Sequence, residues 1–316
     1  MTIHTTSLED NFFAIVRVPG LDELDAGALR HLLQSKGAVL IKGACSSMDE
    51  FATLCTSLHT APMPPGGDRE QMHPKNIVYG VEPGTHANRL HYEAAFSPLR
   101  PDLVFIYCER PASSGGQTLI SDGVRVFSNL GQAVQERLIQ EPVIYRSAVH
   151  ARGWHTLFPG LSLPEIRFVL DRVVEIVAEA GQQISYELDD ELLRFEYVTS
   201  SVIRNHRNAE VVYSDSGCVF DTELDDSPIE FSRTRSFFSD REPIPEWIRG
   251  AVLDSLARCA TPIEWEPGDV LLLDNWSVPH GRHSLPDDGS RRLLISYGYA
   301  DWLRPASRPA AYRIFL

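Results

Sequence analysis

The sequence predicts a mainly β fold with helical additions: a double-stranded β-helix, or jelly roll, with an α/β layer ahead of it and a helical insert within it. Three observations carry this. Short apolar or β-branched runs recur along the chain, two long amphipathic helices interrupt them, and no internal repeat or composition shift divides the whole. A chain of 316 residues is long enough for one large, well-buried domain spanning 1–316.

The elements follow in order. Leu24 to Leu33 has helical spacing and Gly37 ends it, so Ala38-Val39-Leu40-Ile41 becomes a short buried strand. Ser47 and Glu50 have capping-box spacing ahead of Phe51, Leu54, Cys55 and Leu58, which predicts a second helix. From Ala61 to Thr85 the chain is rich in Pro, Gly and polar residues and reads as a long functional loop at the mouth of a site. Strands are predicted at 103–107 and 118–121, with turn chemistry at 111–116 between them. Ser162-Leu163-Pro164-Glu165 opens a helix whose apolar face is Ile166, Val169, Leu170, Val173, Val174 and Val177. Further strands are expected at 195–199, 201–204 and 211–213, a helix at 245–259, and late strands at 270–273 and 293–299. The segment 150–215 reads as an insert that forms part of a lid.

Composition narrows the function. A net charge of −14 excludes the basic face that nucleic-acid binding needs, and no apolar run approaches a membrane span. The polar start Met1-Thr2-Ile3-His4 lacks a signal-peptide pattern, so a cytoplasmic location is expected. Five cysteines, scattered and without C-x-x-C spacing, read as buried free thiols.

The chemistry begins at His91-Tyr92-Glu93. In an extended strand, residues two apart leave the same face, so His91 and Glu93 are aimed together while Tyr92 points away. If the fold adds His280, two imidazoles and a carboxylate occupy one side of a metal and leave the other open, the arrangement that suits non-haem Fe(II). Alone, the H-x-E spacing is a weak signal. His150, His155, His206 and His283 lack matching motifs and read as structural.

The flanking runs strengthen it. Leu90-His91-Tyr92-Glu93-Ala94-Ala95-Phe96-Ser97-Pro98, then 101–108, then Gly115-Gly116-Gln117-Thr118, and later 268–276, His280-Gly281-Arg282 and Arg291-Arg292-Leu293-Leu294 resemble the TauD/TfdA family of iron and 2-oxoglutarate-dependent oxygenases. The resemblance also reaches the first helix and strand, which match the family's N-terminal support layer. It implies Fe(II) held by His91, Glu93 and His280, with 2-oxoglutarate and dioxygen as cosubstrates. It also implies Thr118 and Arg292 on the far carboxylate of 2-oxoglutarate. Arg291 competes with Arg292, because adjacent strand residues face opposite sides.

Glu93 departs from the family's commoner H-x-D form. Relatives with H-x-E act on amino acids in natural-product pathways such as antibiotic biosynthesis, and halogenating relatives lack the carboxylate altogether. The resemblance therefore implies hydroxylation of an amino acid or peptide-like small molecule, free or carrier-tethered. Desaturation or cyclisation needs only another substrate pose. Where the taurine enzyme places a sulfonate-binding arginine, four positions after Arg292, this chain has Ser296. Asn88, Arg89, Phe96 and Trp154 are candidates for the substrate wall by position, and Arg282 for a supporting role at the metal. A zinc hydrolase and a silent jelly-roll binding protein remain alternatives. In neither would Thr118 and an arginine have a cosubstrate to hold.

Overall fold

The computed structural model describes residues 5–6, 12–63, 69–73, 77–81, 84–158, 160–205, 209–219, 232–286, 291–305 and 307–315. The jelly roll is made by two facing sheets. The larger runs in the order Thr5–Thr6, Phe13–Arg17, Ala38–Lys42, Val270–Asp274, Leu103–Arg110, Arg292–Tyr299, Ala61–Met63, with Tyr79–Gly80 also on Arg292–Tyr299. The smaller runs Thr261–Ile263, Thr118–Ile120, His280–Arg282, Asn88–His91. Leu40, Val104, Ile106, Leu271, Leu273 and Ile295 meet Ile120, Ile263 and Val278 between them. Alternation explains the rest of the larger sheet: Val39, Ile41, Phe105, Leu272 and Leu294 face the other way, onto the N-terminal helices.

Those helices are Ala26–Lys36 and Met48–Leu58, and they bury Leu29, Leu33, Phe51, Leu54 and Leu58 on the sheet. Asp25 caps the first by accepting from the Ala28 N–H at 2.8 Å, and Gly37 ends it at φ 93, a left-handed position suited to glycine. Leu24 falls outside this helix. At the second, Ser47 caps Glu50 N–H at 3.2 Å, while the Glu50 carboxylate accepts from Ser46 N–H at 2.6 Å. The predicted capping box is thus offset by one residue on its return bond. Within the predicted 61–85 loop the chain forms the short strands Ala61–Met63 and Tyr79–Gly80.

A third sheet, in the order Gln183–Leu188, Leu192–Ser200, Pro142–His150, Ser232–Phe238, packs against the helix Leu163–Glu179. The Ser162–Glu165 cap is present, the carboxylate accepting from Ser162 N–H at 2.8 Å. Ile166, Leu170, Val173 and Val177 are the helix's buried face, as its spacing predicts. The extra layer therefore runs from about 142 to 238, wider than the 150–215 expected, because its central strand precedes the helix and its last strand follows a long excursion. The predicted helix at 245–259 is Glu246–Arg258. All five cysteines are free and buried. Among the described residues no helix is long and apolar enough to cross a membrane.

Candidate metal and cosubstrate site

The smaller sheet brings the metal-ligand candidates together. His280 is paired with His91 in register, and their rings lie 4.7 Å apart between centroids. The strand carrying His91 stops there, and Glu93 stands in the turn that follows, where Ala94 takes a φ of 50. Glu93 thus reaches the site from a turn and not from the extended strand predicted. Tyr92 points away into the core, its hydroxyl on the Tyr213 carbonyl and its ring under Arg100, as the sequence reading expects. One ligand atom from each of His91, Glu93 and His280 lies within 4.8 Å of the others, the only such group of three among the described residues.

Glu93 and His91 are held from behind. The Asn275 carboxamide, fully buried, accepts from Glu93 N–H at 3.0 Å and donates to the Glu93 carbonyl at 3.0 Å and to the Pro101 carbonyl at 2.9 Å. It clamps the peptide groups on both sides of Glu93. The Tyr297 hydroxyl donates to Glu93 Oε2 at 2.7 Å, and the Arg69 guanidinium stands 3.9 Å from the same oxygen. His91 Nδ1 lies 2.8 Å from the Arg89 carbonyl, a bond that places the ring proton on Nδ1 and leaves Nε2 with its lone pair. Asn275→Ala is expected to lower metal affinity roughly 10- to 100-fold, the range for partners that orient ligands. Metal titration of the folded variant checks this; unchanged affinity would show that the turn holds Glu93 without the clamp.

Electrostatics favour the forms a metal binds. Burial pushes the His280 imidazole down to about 3, with His91 adding to the effect, so the ring is neutral at ordinary pH. Its Nδ1 is buried without a hydrogen-bond partner. Burial acts to raise the Glu93 carboxyl, but Arg69, His91, His280 and the Tyr297 hydroxyl together outweigh it and hold the group below its ordinary value. Imidazole nitrogens and an ionised carboxylate are a donor set that fits Fe(II).

Gly281, next to His280, shows how tightly the two ligand strands approach. A β-carbon there would lie 2.6 Å from the Asn88 carbonyl oxygen and 2.9 Å from Leu90 N, both backbone atoms of the His91 strand. Gly281→Ala is expected to cost about 1–3 kcal/mol through this overlap and to weaken metal binding by parting His91 from His280. Denaturant unfolding and metal titration on one sample test both effects.

The ligand candidates line one cavity of about 250 Å³ that also contains Thr118, Arg282, Arg291 and Tyr297. Arg291, not Arg292, is the inward arginine. Its guanidinium lies 3.3 Å from Thr118 Oγ1, and burial, with Arg282 nearby, pushes its pKa down to about 10. Thr118, 2% exposed, also accepts from the Trp265 indole N–H at 3.0 Å. Arg292 points outward, with a side chain 48% exposed and paired to Glu109 at 2.6 Å. Alternation accounts for the correction: Leu293, Ile295 and Tyr297 line the same cavity, so Arg291 shares their face.

The same parity removes Ser296. It is buried on the opposite face beside the Cys55 thiol, and the cavity position four residues after the inward arginine is Ile295. Of the other wall candidates, Asn88 lines the cavity, whereas Arg89 is exposed and reaches the Val219 carbonyl at 3.3 Å. Trp154 is 1% exposed, a core residue under the long helix, and Phe96 lines a second cavity. Arg282 braces the mouth by donating to the Gly84 and His86 carbonyls at 2.9 and 2.8 Å. His150 caps the helix Ala151–Leu157 by accepting from Arg152 N–H, and His283 is exposed. The side chain of His155 and the whole of His206 lie outside the described residues. Arg69, Tyr297 and the Asn275 clamp were not singled out from sequence. Tyr297 shares parity with Arg291 and was readable in principle, whereas Arg69 sits in a Pro- and Gly-rich stretch that carries no such signal.

A jelly roll with two histidines and a glutamate at one end of a cavity and an inward, half-buried arginine lining it fits the class of mononuclear non-haem oxygenases. The chain belongs to the taurine catabolism dioxygenase TauD, TfdA family, whose model matches residues 6–297. Members of this family are oxidoreductases that use Fe(II), 2-oxoglutarate and dioxygen. Among relatives, a clavaminate synthase-like protein of Arabidopsis thaliana is 27% identical over 85% of this chain and 83% of its own length. The dapdiamide synthesis protein DdaC of Enterobacter agglomerans is 23% identical over 84% of this chain and 83% of its own. The structure of PvcB from Pseudomonas aeruginosa, an Fe, alpha-ketoglutarate dependent oxygenase from an isonitrile synthetic pathway, is similar with a TM-score of 0.55 and 16% identity. It covers 95% of this chain and 92% of PvcB.

Proposed function

We propose that this protein hydroxylates an unactivated C–H bond of an amino-acid- or peptide-derived small molecule in a natural-product pathway. In this reading His91, Glu93 and His280 hold Fe(II), and Arg291 with Thr118 holds the far carboxylate of 2-oxoglutarate. The observation that carries it is the cavity itself, which contains both the three ligand candidates and an inward, half-buried arginine bonded to Thr118. A hydrolytic zinc site would leave that arginine without a role. The pathway reading is supported by DdaC and PvcB, whose names place those two proteins in biosynthesis.

When bound, iron with 2-oxoglutarate and dioxygen supplies an oxidant strong enough for unactivated carbon. The chain's own residues do the rest. Arg291 matches a carboxylate with paired donors and stays charged when desolvated. Asn275 fixes the Glu93 backbone and Tyr297 its carboxylate. Ile106, Leu293 and Ile295 line the cavity with hydrocarbon and keep water from the reacting centre.

Anaerobic thermal unfolding with Mn(II) and the unreactive analogue N-oxalylglycine tests the assignment. Each ligand at 100 times its Kd stabilises the fold by about 2.7 kcal/mol, and the analogue is expected to act only when metal is present. Equal stabilisation without metal would show that its keto-acid end is not on the metal.

A further inference from the structure

A second cavity, of about 140 Å³, lies between the helix Leu163–Glu179 and the third sheet. Its wall is hydrocarbon: Phe96 and Leu99 on one side, Val174 on the helix, Ile184 and Leu193 on the strands, Phe158 beyond the short helix. Ser97, Tyr186 and Ser232 are its neutral polar members apart from Tyr297, and Glu93 is its one charged residue among those described. Glu93 and Tyr297 also line the metal-end cavity. The 2.7 Å hydrogen bond between them is therefore a shared wall. Ala94 belongs to the apolar side of that wall, because the left-handed turn at φ 50 that follows Glu93 directs the chain there.

We propose that this cavity is the binding site for an apolar group of the substrate, an aromatic ring or branched alkyl group of five to seven carbons, whose attached carbon is presented past Glu93 to the metal. This rests on the function proposed above and names the substrate class for it. Size and chemistry set the occupant. A dry apolar cavity of roughly 150 Å³ takes a benzene ring, and among the described lining residues an anionic group would meet no cation. The placement also gives the extra layer a task, since helix and sheet enclose the group that determines selectivity, while Arg291 at the other cavity serves the cosubstrate.

The test uses 4-fluorotoluene as probe and the full chain, followed by fluorine NMR. Wild-type protein is expected to bind the probe, and Val174→Trp and Ile184→Trp, which fill the cavity from separate walls, to weaken binding at least tenfold. Loading Mn(II) should broaden the bound signal well beyond a Zn(II)-loaded control, because the metal is one side chain away. Failure to bind, equal binding in both folded variants, or equal linewidths with the two metals would each overturn the proposal. If Mn(II) itself does not bind, as read separately by calorimetry, the iron assignment falls while the two variants still decide whether the cavity takes the probe.

Discussion

Arg291→Ala is expected to weaken 2-oxoglutarate binding by at least about 30-fold, while Arg292→Ala leaves it within about twofold. The magnitude follows from the environment. Truncating one partner of a desolvated, hydrogen-bonded charge pair costs about 2–5 kcal/mol, and Arg291, half-buried and lining the cavity, is the inward one. Arg292, half exposed and paired with Glu109, belongs to the class of surface ion pairs worth about 0–1 kcal/mol. Arg291→Lys should recover only part of the loss, since an ammonium does not reproduce the paired donors. Calorimetric titration of the metal-loaded variants measures all three. A large effect at 292 and none at 291 would return the anchor to the outward residue and refute the geometry.

His280→Ala is expected to abolish stoichiometric metal binding, with a loss exceeding the roughly 100-fold upper end for outer partners such as Asn275. The apo protein should keep its fold. The removed ring is a buried polar group with an unpartnered nitrogen, so its loss exchanges a cavity cost against relief of that unmet bond. Circular dichroism checks the fold and metal titration the site. Tight, unchanged metal binding by a folded His280→Ala protein would remove His280 from the ligand set.

The core of this site was legible from sequence for a physical reason. Residues that hold a metal must be of particular types at particular spacings, and the candidates His91, Glu93 and His280 stand within ordered runs. Their convergence depends on strand pairing between His280–Arg282 and Asn88–His91, which spacing alone does not reveal. Arg291 against Arg292 was a matter of parity. A one-residue shift in a strand exchanges its faces, and only the inward set Leu293, Ile295 and Tyr297 resolves it. The same one-residue shift puts Ile295, not Ser296, on the cavity.

The elements with strong local signals, the capped helix at 163–179 and the apolar strands at 103–110 and 270–274, matched closely. Strands 142–150 and 232–238 were missed. Their polar outer faces, with Arg146, Arg233 and Arg235, and their distant partners leave little local trace. Arg69 illustrates the remaining limit, since its place beside Glu93 comes from the path of a long connection and not from any pattern around it.

The central claim is that His91, Glu93, His280 and Arg291 together support oxidative decarboxylation of 2-oxoglutarate. Anaerobically purified protein, loaded with Fe(II) and given labelled 2-oxoglutarate, is exposed to oxygen and the labelled succinate is measured, with His280→Ala and Arg291→Ala alongside. The expected result is iron- and oxygen-dependent succinate from the wild type, slow without prime substrate, and none above background from either variant at the same cosubstrate concentration. No succinate from wild-type protein shown to hold both iron and 2-oxoglutarate, or undiminished succinate from folded His280→Ala, would contradict it.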